Sequence, residues 1–268
     1  MRLMDLPIPF LGKRPRIAVI RLQGVIAAAG RAGLNDATLA PMIERAFRRR
    51  RPIAVALVIN SPGGSAVQSS LIAARIRRLA EERGIPVHGF VEDVAASGGY
   101  WLACAADDIR VDPSSIIGSI GVISSGFGLH EFISRHGIER RLHTAGRSKA
   151  LLDPFLPERQ ADVKRLRRLL EGIHENFIAH VKARRGARLT DDPALFTGEV
   201  WIGQGAVDMG LADGLGHLVP RIREIYGDKV KFLRYGVRPP LLRRLGAQIA
   251  EGGLMGLEER VEYGRYGL

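Results

Sequence analysis

The stretch Val87 to Ala105, VHGFVEDVAASGGYWLACA, constrains this chain more than any other. Val87 to Val91 is a short apolar run, the pattern of a buried strand. Small residues follow, Ala95-Ala96-Ser97-Gly98-Gly99, and then a run of helical character, Tyr100 to Ala106. A serine between a strand and a helix, followed by two glycines, is a sharp turn that presents its hydroxyl. It leaves the next backbone N–H free to point at a ligand. A nucleophilic serine needs that geometry, and a helix N-cap serine is the common alternative. This stretch alone leaves both open. A second stretch, Ile59-Asn60-Ser61-Pro62-Gly63-Gly64, bears on the choice.

The rest of the chain reads as alternating strands and helices. Ile17 to Leu22 is a strand ended by Gly24, and Ala37 to Arg50 a helix with Asn35 or Asp36 near its cap. Ile53 to Ile59 is continuous and β-branched, the pattern of a strand buried on both faces. After Ser61-Pro62-Gly63-Gly64 a helix runs from about Ser65 to Glu82, with Ile72, Ile76 and Leu79 on one face. Short strands are expected at Ile109 to Val111, Ile120 to Ile123 and Glu139 to His143, with a helix at Leu129 to Arg135. Thr144 to Phe155 is irregular, and Pro157 to Arg185 is the longest helix. Phe196 to Asp213 pairs a turn with a short helix, and Lys229 to Leu233 reads as an edge strand. Beyond Arg238-Pro239-Pro240, Leu241, Leu242, Leu245 and Ile249 share one face of a short amphipathic helix. The alternation implies α/β architecture with a mainly parallel sheet. The division expected is a basic N-terminal arm, 1–16, a catalytic domain, 17–235, and a tail, 236–268.

Composition narrows the function classes. The one cysteine, Cys104, excludes an internal disulfide framework and any multi-cysteine metal site. It lies in the apolar run after Ser97 and reads as a buried small hydrophobe. Net charge is +12, and the first fifty residues, with ten Lys/Arg against three Asp/Glu, supply +7 of it. The excess sits in Lys13-Arg14, Arg16 and Arg48 to Arg51, a patch suited to an anionic membrane surface or nucleic acid, or to a solvated face. The arginines and lysines of the longest helix fall off its apolar stripe and read as solvated, so no nucleic-acid partner is expected. No apolar run approaches about 18 residues, so no membrane span is expected. The first residues, with Asp5 and two prolines in their apolar part, do not read as a signal peptide.

Two Gly-rich turns follow two buried strands. The amides after Ser61-Pro62 and after Ser97 are free donors at helix starts, and two such donors converging on a carbonyl oxygen make an oxyanion hole. The phosphate-cradle signatures GxxxxGK[ST] and GxGxxG are absent. A serine nucleophile needs a base. None of His88, His130, His136, His143, His174, His180 and His217 lies in a distinctive turn. Among the six lysines only Lys149 lies in a Gly/Pro-bounded irregular segment, and spacing alone leaves it balanced against a surface lysine.

These residues carry a resemblance. INSPGG (59–64), AASGGYW (95–101), GSIGV (118–122), AGRSKALLDPF (145–155) and GLADGLG (210–216) resemble the signal peptide peptidase A family of serine proteases, peptidase family S49, in the right order from Ile17 to Leu233. The resemblance implies the ClpP/crotonase fold, a spiral of ββα units, and a Ser-Lys dyad. Ser97 would be the nucleophile, Lys149 the general base, Ser119 the residue that aims the lysine amine, and the Gly64 and Gly98 amides the oxyanion hole. It implies no cofactor and no metal. It also implies a homo-oligomeric ring with sites shared between subunits, and peptide substrates such as signal-peptide remnants or other unfolded, apolar segments.

The sequence departs from that family in two places. The usual N-terminal membrane anchor is not found, so the expected location is the cytoplasm or the periphery of a bacterial inner membrane. Gly146-Arg147-Ser148-Lys149 lacks the aromatic that often precedes the lysine. The chain reads as the family's single-domain form. The Clp protease uses Ser-His-Asp, and Gly98 to Leu129 contains no histidine. A crotonase-type enzyme would need no Ser97 with Lys149. A non-catalytic membrane-associated scaffold of the same fold is the alternative from another class.

Overall fold

The structure is a computed structural model that describes residues 14–28, 33–146, 148–236 and 260–268. In chain order the elements are β1 (Arg16–Gln23), α1 (Asp36–Arg48), β2 (Ala54–Ser61), α2 (Ala66–Arg83), β3 (Val87–Ala96) and α3 (Gly98–Ala103). Then come β4 (Asp108–Val111), β5 (Ile116–Gly118), α4 (His130–Arg135), α5 (Gln160–Arg185), β6 (Val200–Ile202), α6 (Gln204–Asp208), β7 (Gly214–Leu215), α7 (Leu218–Tyr226) and β8 (Lys231–Tyr235).

The unbroken apolar run of β2 is buried along its whole length, as a central parallel strand must be. It pairs with β1 on one side and β3 on the other, and the sheet runs β6-β5-β3-β2-β1-β8. All of these pairs are parallel except β5 with β6. Side-chain alternation divides the core between the two faces. Ile20, Leu22, Leu57 and Ile59 join the main core under α1, α2, α3 and α5. Ile17, Val19, Ala56 and Val58 turn to the other face, where they pack with Ile222 of α7.

The helices start and stop where the caps dictate. The Asn35 side chain accepts from the Thr38 N–H at the start of α1, and Ser65 accepts from the Gln68 N–H at the start of α2. Gly84, with φ of 60°, closes α2 by donating to the Ala80 and Glu81 carbonyls.

β3 is twice the length the apolar run implies, because each half has its own partner. His88–Val91 pairs with β4, and Val94–Ala96 pairs with β5. The second pairing carries the strand up to Ser97.

Three local expectations are corrected. The strand expected at Ile120 to Ile123 lies earlier, at β5, because Ser119 takes a left-handed φ of 51° that ends it. Glu139 to His143 is exposed and irregular, with no neighbouring strand to pair with among the described residues. Phe196 to Asp213 contains, besides its turn and helix, the strand β6 that pairs with β5. Lys229 to Leu233 does hold an edge strand, shifted to β8. The helix expected around Leu241 to Ile249 lies outside the described residues. Cys104 is fully buried, and burial pushes its thiol up to about 12.

Candidate active site

The site is built where β2 and β3 end side by side. Ser97 joins β3 to α3 with φ of 51° and ψ of −122°, a conformation that side chains rarely adopt. Its side chain makes no capping hydrogen bond, so the N-cap role does not account for it. The Ser97 N–H donates to the Gly118 carbonyl at 2.8 Å, and its own carbonyl accepts from Tyr100 and Trp101. The strained backbone is thus held from both sides while Ser97 remains partly exposed.

The Gly-rich turn after β2 packs directly on this serine. A Cβ on Gly63 would stand 2.8 Å from the Ser97 Cβ and 2.9 Å from the Gly98 nitrogen. A Cβ on Gly98 would stand 3.4 Å from the Gly64 nitrogen. Neither the Gly64 nor the Gly98 N–H donates to an acceptor among the described residues. The amides on either side of Gly64 are engaged: Gly63 donates to Ser61 Oγ at 3.3 Å, and Ser65 to the Ile26 carbonyl at 2.7 Å. Two unpartnered donors therefore lie next to one another beside Ser97, the arrangement that receives a developing oxyanion.

Ser119 joins this group through the backbone. It follows Gly118, whose carbonyl holds Ser97, and its own N–H donates to the Glu199 carbonyl at 2.7 Å. Lys149 does not join it. Lys149 lies in an exposed turn, its backbone N–H on the Gly146 carbonyl, and its side chain makes no hydrogen bond or ion pair with a described residue. Of the five residues singled out in the sequence, the fold of one chain assembles Ser97, Ser119, Gly64 and Gly98 and leaves Lys149 apart.

His174, His180 and His217 are occupied elsewhere. His180 stacks on Trp101 with ring centroids 5.0 Å apart, and its Nε2 lies 3.2 Å from the Trp101 carbonyl. Burial pushes its pKa down. His174 Nε2 lies 2.9 Å from the Ile120 carbonyl, and His217 pairs with Asp112. Among the described residues no group of His, Cys, Asp or Glu is arranged to hold a metal ion.

Sequence reading missed three parts of the site. Gly63 was in view as a turn residue, but its contact with Ser97 depends on β2 and β3 being neighbours. Ser69 is buried one turn into α2, with its Oγ 2.4 Å from where a Gly98 Cβ would stand. The carbonyl of Glu199 that holds Ser119 left no signal in the side-chain pattern.

Comparison with known proteins decides the family. The sequence model of peptidase family S49 matches residues 80–225, more than half of the chain. The chain belongs to peptidase family S49. Among S49-type relatives, "Probable protease SohB" of Haemophilus influenzae is 31% identical over 201 residues, covering 75% of this chain and 56% of that protein. A Brucella melitensis protein named Na(+)/H(+) antiporter NhaA is 45% identical over 282 residues, covering 98% of this chain and 38% of that protein. The chain spans about two-fifths to three-fifths of the length of these two relatives. No described helix is long and apolar enough to cross a membrane. Among solved structures, a mutant of the 1510-N membrane-bound stomatin-specific protease in complex with a substrate peptide matches with a TM-score of 0.53 at 15% identity, over 87% of this chain and 96% of that one. That likeness shows the fold, the ClpP/crotonase type with its mainly parallel sheet.

Proposed function

We propose that this S49 peptidase is a serine endopeptidase using a Ser97–Lys149 dyad, and that it cuts unfolded or apolar peptides such as signal-peptide remnants. One observation carries the reading: Ser97 is held strained and partly exposed beside two backbone amides that have no acceptor. In the proposed reaction Ser97 Oγ attacks the scissile carbonyl carbon and its proton passes to Lys149 Nζ. The carbonyl oxygen takes the negative charge and receives the Gly64 and Gly98 N–H groups. One such donor contributes about 10²–10³ in kcat. The C–N bond then breaks as Nζ returns the proton to the leaving nitrogen, and water releases the acyl group from Ser97 by the same steps. Ser119 positions the amine.

A lysine acts as a base only after losing its proton, which burial favours. Lys149 is exposed in the single chain, on a segment that also exposes Ile123, Phe127, Phe132 and Ile138. That segment closes on itself through the Leu129 N–H on the Pro154 carbonyl and the Arg140–Asp153 ion pair. Isolated apolar side chains are ordinary on a surface, but a run of them in one extension marks a contact surface. In this reading a second copy covers it, and the lysine of one subunit completes the site of the next. Such a head-to-tail contact closes into a ring.

A fluorophosphonate probe should label Ser97 and not the Ser97→Ala variant, and that variant should be inactive with unchanged circular dichroism. Equal turnover by both would remove the assignment. Mixing inactive Ser97→Ala with inactive Lys149→Ala, with subunit exchange followed by mass, should restore roughly a quarter of the activity, since about one interface in four of a random ring joins an intact pair. A mixture that exchanges and stays inactive would refute the shared site. Labelling of Ser97 together with no peptide hydrolysis would favour the scaffold.

A further inference from the structure

Helix α1 has two flanks of different character. On one, Asp36 and Glu44 are both taken up by Arg75 of α2, at 2.7 and 3.1 Å. On the other, Pro41, Arg45 and Arg49 line a groove of about 390 Å³ with Arg234 and Tyr235 of the edge strand β8. The helix then runs into Arg48-Arg49-Arg50-Arg51, where Arg50 and Arg51 both hold left-handed φ, 62° and 47°. Among the described residues no carboxylate forms an ion pair with Arg45, Arg48, Arg49, Arg50, Arg51 or Arg234. Arg45 Nε donates only to the backbone carbonyl of Pro41, at 3.3 Å. So many cations in one place, with no counter-charge among the described residues, suit an external anion.

Where the chain enters and leaves this face indicates the source of that anion. Arg16, the first residue of β1, bonds both to this turn and beside it: its Nη1 donates to the Arg50 carbonyl at 2.9 Å, and its carbonyl accepts from the Ile53 N–H at 2.9 Å. The residues before it in sequence include Leu3, Met4, Leu6, Ile8, Phe10 and Leu11. The groove ends at Gly236, and the sequence beyond carries Leu241, Leu242, Leu245 and Ile249. Basic residues flanked on both sides by apolar sequence suit a lipid interface, where phosphates meet the arginines and apolar side chains enter the acyl boundary. A nucleic acid would use the charge and leave the apolar flanks without a role.

We propose that the Arg45–Arg49–Arg234 groove, with the adjoining Arg48–Arg51 turn, binds the phosphate groups of an anionic lipid surface. The turn precedes β2, and Ser97 lies past the far ends of β2 and β3. The eight residues of β2 span about 26 Å at 3.3 Å per residue. A membrane held at the arginine turn therefore leaves the serine turn facing away from it.

The test uses the full chain and vesicles of phosphatidylcholine with or without phosphatidylglycerol, in a flotation assay. The chain should bind only the phosphatidylglycerol vesicles. An arginine near such a surface is worth about fivefold in affinity, so the Arg45→Ala/Arg49→Ala/Arg234→Ala variant should bind roughly 100-fold more weakly. Circular dichroism and the urea midpoint should show that it is folded. The variant Lys164→Ala/Arg167→Ala/Arg168→Ala removes the same charge from exposed positions on α5 and should bind within a few-fold of the parent. Equal binding to both vesicle types, unchanged binding by the groove variant, or an equal loss in the control variant would each overturn the proposal. So would displacement by a DNA duplex at lower concentration than phosphatidylglycerol vesicles, which would make nucleic acid the partner. Release from the vesicles by millimolar inorganic phosphate, with stoichiometric phosphate binding by calorimetry, would make the site one for free phosphate and would also overturn it.

Discussion

Replacing Gly98 with alanine separates the stability of the serine turn from its chemistry. Gly98 begins α3 without a left-handed φ, so alanine meets no backbone penalty there. The obstacle is steric. The new methyl would stand 2.4 Å from Ser69 Oγ, 3.2 Å from Ile26 Cδ1 and 3.4 Å from the Gly64 nitrogen. Only the first is a severe overlap. Overpacking of this kind costs about 1–3 kcal/mol. Ser69→Ala removes the overlapping oxygen and one buried hydrogen bond, from Ser69 Oγ to the Ser65 carbonyl at 2.9 Å, at a cost of about 1 kcal/mol. The Ser65 carbonyl keeps the Ser69 N–H at 3.0 Å, so nothing is orphaned. With about 2 kcal/mol for the first change, independent effects would sum to about 3 kcal/mol, whereas the double variant should lose only about 1–1.5 kcal/mol. Activity should behave differently. In the double variant the methyl still occupies the space beside the Gly64 amide, so kcat should stay roughly 10²-fold down. The assay pairs urea unfolding, followed by the fluorescence of the nearly buried Trp101, with hydrolysis of a fluorogenic peptide. Strict additivity in stability would refute the packing argument. Recovery of activity along with stability would refute the oxyanion role of the two glycines.

Four further outcomes are expected. Ser119→Ala should lower kcat more than it raises KM, since a residue that positions the base does not bind substrate; an unchanged kcat in steady-state assays would exclude that role. Gly118→Ala should abolish fluorophosphonate labelling of Ser97, because a Cβ there would lie 2.8 Å from both the Glu199 carbonyl and the Trp201 ring on a residue with φ of 114°; normal labelling would show that the turn tolerates the shift. Arg185→Met should cost about 3 kcal/mol and lower Tm by roughly 6–12 °C in calorimetry, because the buried guanidinium holds both Asp213 oxygens, at 2.8 and 3.0 Å, and the Gly210 carbonyl at 2.9 Å. Stability should fall in two stages in acid titrations, the first below about pH 6.5 and the second below about 4: burial holds the His180 pKa down in the fold, the Arg75 hydrogen bond holds the Asp36 carboxyl low, and at Asp108 burial pushes up but the His88 ring beside it and the hydrogen bonds and charge of Arg110, with the charge of Arg221, outweigh it. A group whose folded pKa is depressed contributes above its unfolded pKa and loses that contribution as it protonates, so a curve that stayed flat from neutral pH down to 3 would contradict this.

The parts of the fold that were legible in the sequence are those set by local chemistry. β2 declares itself because a strand buried on both faces has no polar positions. α2, expected from about Ser65 to Glu82, runs Ala66–Arg83 because the local repeat of Ile72, Ile76 and Leu79 sets it. Ser97 stood out by its local sequence as well. Register and partnership were not legible. The second half of β3 continues to Ala96 through Glu92 and Asp93 because β5 is there to receive it, and the three-residue β6 exists only as the antiparallel edge of β5. Glu139 to His143 has strand-like composition and no partner strand among the described residues, and stays irregular. Lys149 shows the limit most clearly. Its segment drew attention by its irregularity, and the single chain leaves it exposed, with no local pattern to say what would surround it.

Ser97 and Ser119 share the same left-handed φ of 51°, and the hydrogen bonds make them one device. The Ser97 N–H is held by the carbonyl of Gly118, the residue before Ser119, and the Ser119 N–H by the carbonyl of Glu199, the residue before β6. Each strained residue costs about 1–3 kcal/mol and persists only where its surroundings fix it. Here the fixing runs through the ladder from β3 to β5 to β6, with Gly118 paired to both Ala96 and Val200. A turn that is merely structural has no need of strain at two serines. A pair of hydroxyls that must meet a third group arriving from outside the subunit has such a need, since neither can relax towards the other before that group arrives. In the proposed dyad, the rigidity of the β3–β5–β6 corner and the exposure of Lys149 would be two sides of one arrangement: the fixed half of the site on the sheet, and the other half on the extension beyond it.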